Sequence, residues 1–109
     1  MTHEKYVQSI RHEAAKIAAG VISGEIPVLE GCNSLAALRH EIDVDEFDPD
    51  FLVFAMISSE IDTLPIGAAR THWAQDALVA LEPEIQSAIL WATPRALTAC
   101  KSLLQRFGT

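Results

Sequence analysis

The chain has 109 residues, half of them hydrophobic, which suits one core at the ordinary size of a single domain, residues 1–109. Fifteen acids against eight Lys and Arg give a formal net charge of −7. That balance argues against a protein that neutralises nucleic-acid phosphates or docks on an anionic membrane.

No apolar run approaches the ~20 residues of a spanning helix. The opening Met1-Thr2-His3-Glu4-Lys5 leads into an amphipathic segment without an uninterrupted apolar stretch, so no signal peptide and a cytoplasmic location are expected. Ala, Leu, Glu and Arg favour helix, and the β-branched and aromatic residues form no alternating runs. The first helix is predicted over 3–23, with Val7, Ile10, Ala14, Ile17 and Val21 on one face and Gly24 as the stop. A second runs from Pro27 to Ile42, carrying Cys32, Leu35, Leu38 and Ile42 on one stripe. Gly31 either weakens its start or instead marks close packing against a neighbour.

Residues 41–50 read as a linker. Asp48 before Pro49 has the form of a helix N-cap followed by a first-turn proline, and Asp50 suits the helix dipole. Phe51–Ile57 is apolar all round, so periodicity alone does not separate a buried helix from a buried strand. The start signal favours helix. Leu64-Pro65-Ile66-Gly67 is irregular, because Pro65 disfavours helix at Leu64 and Gly67 permits a turn. A fourth helix over 68–81 would turn Trp73, Ala77, Ala80 and Leu81 inward. Pro83 would begin a fifth, and Pro94 either starts a sixth or kinks one long helix. The fold class is therefore all-α, a compact bundle of five to six helices around one core.

Two stretches carry candidate chemistry. Between Glu41 and Asp62 there are eight acids and no Lys or Arg, whereas Ile85 to the C-terminus has Arg95, Lys101 and Arg106 and no acid. Glu41, Asp43, Asp45, Glu46, Asp48 and Asp50 read in either of two ways. They form a solvated loop that makes one complementary contact with the basic last helix, or an acidic surface that recognises a basic protein partner. The loop does not fit an EF-hand: counted from Asp43, the glycine position holds Asp48 and the bidentate glutamate position holds Phe54. The second stretch gathers Glu60, Asp62, Arg70 and His72 around the Pro65–Gly67 turn. There Arg70 would grip an anion while His72 or Glu60 handles protons, or Arg70 would simply pair with Glu60 or Asp62 while Trp73 anchors the core.

Cys32 and Cys100 lie among apolar helical neighbours and read as reduced core thiols. His3, His12, His40 and His72 show no metal-ligand spacing, and no nucleophile elbow, phosphate loop or Cys-x-x-Cys pair occurs. No metal, cofactor or catalytic residue is expected.

The stretch Ser59-Glu60, Asp62, Leu64-Pro65, Gly67, Arg70 and Trp73, with Ala99-Cys100 in the last helix, resembles a group of small bacterial helical proteins with no assigned function. Trp91 and Pro94 depart from the uninterrupted polar helix that the resemblance implies near the end. It implies a stand-alone helical protein and assigns no functional residue. The leading expectation is a non-catalytic binding or regulatory protein acting through protein–protein contacts, of which immunity and antitoxin-like proteins are one concrete form, with a homodimer compatible. The alternative is a small-molecule or anion-binding protein, or an enzyme, centred on Glu60–His72.

Overall fold

The computed structural model describes residues 2–108; Met1 and Thr109 lie outside the described residues. Among the described residues the chain forms four α-helices and one 3-10 helix, and no strand. The Thr2 hydroxyl caps α1 (His3–Ser23) by accepting from the Lys5 amide at 3.1 Å. Gly24 ends it in the left-handed region at φ 85°, where a side chain would be strained. Helix α2 (Val28–Leu38) starts after Pro27 and crosses α1 closely: a Cβ at Gly31 would run into a Val21 methyl. This helix stops four residues short of the sequence expectation. Ile42 keeps its core place but reaches it from the loop that follows.

The Phe51–Ile57 ambiguity resolves as helix. Asp48 caps α3 (Pro49–Glu60) by accepting from the amides of Asp50 at 3.1 Å and Phe51 at 3.3 Å. Phe51, Phe54 and Ile57 are fully buried, and the two rings meet edge to face at 5.8 Å. Truncating either phenylalanine to alanine removes about 3–5 kcal/mol. Helices α2 and α3 are also joined by the Ser58 hydroxyl, which donates to Asn33 Oδ1 at 2.7 Å.

Two expectations for the second half need correction. The predicted fourth helix is a 3-10 helix over Gly67–His72, followed by extended backbone at Trp73 and Ala74. That extended link resets the helical phase, so Leu78 takes the core position and Trp73 stays 41% exposed. Ala80 is exposed as well, while Ala77 and Leu81 are half-buried. From Gln75 onward a single helix, α4 (Gln75–Phe107), runs through both Pro83 and Pro94. Neither proline starts a new helix, because both lie on the solvent side of α4. The carbonyls they leave without a helical donor, those of Val79 and Leu90, belong to exposed residues and reach water.

At ~1.5 Å per residue α4 is about 50 Å long, and it sets the 48 Å long axis of the molecule. It packs across α1, α2 and α3. Its Ile85, Ala92, Ala96, Ala99, Cys100 and Leu103 close one continuous core. No helix among the described residues is long and apolar enough to cross a membrane.

Candidate functional site

The structure divides the six acids of residues 41–50 into two groups. Asp48 is only 7% exposed. Its two oxygens take both terminal nitrogens of Arg106 on α4, at 3.0 and 2.5 Å, while it also caps α3. Asp50 Oδ2 accepts from the same guanidinium at 2.8 Å and from the Ser102 hydroxyl at 2.6 Å. Burial pushes the Asp48 carboxyl up, but Arg106 and the Phe51 and Asp50 amides outweigh it, so the group sits below the usual carboxylate range. The hydrogen bonds that Arg106 donates to Asp48 and to Asp50 hold its guanidinium protonated above its ordinary value. These two acids join α3 to α4. This is the complementary contact with the basic last helix that the charge pattern allowed.

Asp43, Asp45 and Glu46 behave differently. The buried Ile42 and half-buried Val44 pin the loop to the core, and Asp43 adopts φ 57°, a left-handed conformation that Asp tolerates better than most residues. Arg11 donates to the carbonyls of Ile42 at 3.3 Å and Asp43 at 3.2 Å. Arg39 donates to the carbonyl of Glu46 at 2.6 Å. The neighbouring cations therefore fix the backbone of the loop, and among the described residues they form no ion pair with its carboxylates. Asp45 Oδ1 accepts from the Phe47 amide at 2.7 Å, closing a tight turn. That turn presents Phe47 at 70% exposure, beside the exposed Asp43, Asp45 and Glu46. Glu41 accepts from the Tyr6 hydroxyl, and this bond raises the Tyr6 phenol above its ordinary value. Phe47 escaped the sequence reading, although a single aromatic inside a run of acids was the available signal.

The second constellation does not assemble. Glu60, Asp62, Arg70 and His72 are all exposed, and none bonds to another among the described residues. Glu60 lines one concavity with Glu84 and Trp91, whereas Arg70 lines a different one. The latter, about 110 Å³, is an apolar recess between the start of α2, the Pro65–Gly67 turn and Ile85 and Ile89 of α4, with Glu30 and Arg70 at its edge. Asp62 and His72 line neither.

Cys32 and Cys100 are free and fully buried. Burial pushes their thiols up to about 12 and about 11, so both stay protonated and inert at neutral pH. No group of three or more His, Cys, Asp or Glu that could hold a metal ion occurs among the described residues.

Compared with protein-family models, curated proteins and solved structures, the chain gives no match.

Proposed function

We propose that this protein is a non-catalytic binding protein that receives a basic surface of another protein on its Glu41–Phe47 loop. The observation that carries this reading is Phe47, largely exposed and preceded in the same loop by three exposed carboxylates, Asp43, Asp45 and Glu46, with which the nearby arginines form no ion pair among the described residues. An exposed aromatic supplies contact area at low entropic cost, and the surrounding charge steers and selects a cationic partner. Inhibition of a basic enzyme, in the manner of an immunity protein or antitoxin, is one form such binding takes. The buried, free thiols of Cys32 and Cys100 support a reducing compartment, the cytoplasm.

The test is a parallel capture from native lysate with the wild-type chain, Phe47→Ala and an Asp45→Lys/Glu46→Lys double variant. Elution proceeds in steps of rising salt, with mass spectrometry as the readout. A basic protein held by the wild type, released at moderate salt and lost from both folded variants, is the expected result. A partner that both variants retain, or no partner at any salt, would contradict the reading.

The apolar recess beside Arg70 favours a second reading, a site for a small anion with a short apolar tail. Its volume suits only a few heavy atoms. A short-chain carboxylate should then raise the melting temperature of the wild type and leave that of Arg70→Ala unchanged.

A further inference from the structure

We infer that the outer face of α4 is a self-association surface that receives a second copy of this chain in antiparallel orientation. The inner face of the helix is defined by Leu78, Ile85, Ala92, Ala96, Ala99 and Leu103, all buried. On the opposite side Asp76, Val79, Pro83, Leu90, Pro94 and Lys101 are all exposed. Their spacings are sums of three and four, so they form one stripe along the helix. Leu90 at 77% and Val79 at 64% exposure are among the most exposed large apolar side chains of the molecule, and both belong to this stripe.

Charge identifies the occupant. The N-terminal third of α4 carries Asp76, Glu82 and Glu84 and no base; the remainder carries Arg95, Lys101 and Arg106 and no acid. A second α4 laid parallel would set acid against acid. Laid antiparallel, it sets acid against base at both ends, as a two-fold axis requires. One register satisfies the whole stripe. With Asp76 opposite Lys101 of the second copy, Pro83 falls opposite Pro94, and the two Leu90 side chains flank the axis. Val79 then meets Thr98, beside the half-buried Leu97. The same register brings the Ser87 hydroxyl of the second copy opposite the Leu90 carbonyl, which Pro94 leaves without its helical donor. This surface is separate from the Glu41–Phe47 loop, so loss of one is distinguishable from loss of the other.

Sedimentation equilibrium of the full chain at low salt, from micromolar to millimolar concentration, tests this. The expected species has twice the 11.9 kDa chain mass. Leu90→Asp should weaken the dimer by about tenfold or more while far-UV circular dichroism stays helical. Asp76→Lys should weaken it several-fold, and Asp76→Lys with Lys101→Asp should restore it. A monomer throughout would overturn the inference, and so would a dimer indifferent to Leu90→Asp. A dimer that the double reversal fails to restore would overturn the antiparallel register.

Discussion

Asp45 and Asp48 stand three residues apart in one acidic run, yet they face different physics. Asp48 is nearly dry, caps a helix and holds Arg106 through two hydrogen bonds. Asp45 is wet and spends one oxygen on the Phe47 amide. No ion pair to Asp45 occurs among the described residues. The lesson is that a block of like charge in a sequence is not one feature. Which carboxylates belong to the fold is decided by what the next helix carries to them, here Arg106 from far along the chain.

The sharpest way to break this contrast is Asp48→Ala. It removes the N-cap of α3 and leaves Arg106 with Asp50 alone, and should cost about 3 kcal/mol in urea unfolding. Arg106→Ala leaves a buried carboxylate still held by two amides, and because Arg106 is about one-third exposed the loss should be smaller, about 2 kcal/mol.

Acid should act through the same group. The native Asp48 carboxyl titrates below its unfolded value, so as pH falls the unfolded chain takes up the proton first. Its contribution is whole above about pH 4 and is lost as pH falls through the lowered native value. Urea midpoints measured across that window should fall more steeply for the wild type than for Asp48→Asn. Parallel curves would show that Asp48 does not join α3 to α4 as a charged group. The smallest effect belongs to the loop: Phe47→Ala should change stability by no more than about 0.5 kcal/mol, because the ring is mostly in water.

Much of the fold was legible because local chemistry agreed with it. Gly24 ends α1 where expected, and Asp48-Pro49 starts α3 through an apolar stretch whose periodicity was silent. Gly31 marked the close crossing of α1 and α2. The failures share one cause, tertiary context acting on local signals. Pro83 and Pro94 looked like helix boundaries, but the rest of α4 lies along the core and the prolines fall on its wet side, where a lost helical bond is replaced by water. Trp73 looked like a core anchor because helical phase was counted across a 3-10 helix and an extended link that propensity does not reveal. The acid run was visible as a candidate site, and so was its contact with the last helix. The division of its members was not, since it depends on Arg11, Arg39 and Arg106 arriving from three other places in the chain.

The most direct measurement sets two isosteric substitutions side by side in equilibrium urea unfolding at neutral pH. One variant carries Asp43→Asn, Asp45→Asn and Glu46→Gln; the other carries Asp48→Asn and Asp50→Asn. The first should be as stable as the wild type or slightly more so. It relieves a net charge of −7, and the carboxamide oxygen that replaces the Asp45 carboxylate still accepts from the Phe47 amide. The second should lose about 2 kcal/mol through its lost charge-assisted bonds to Arg106. Equal losses in the two variants, or a larger loss in the first, would contradict the division of the acidic run into a structural pair and a free surface.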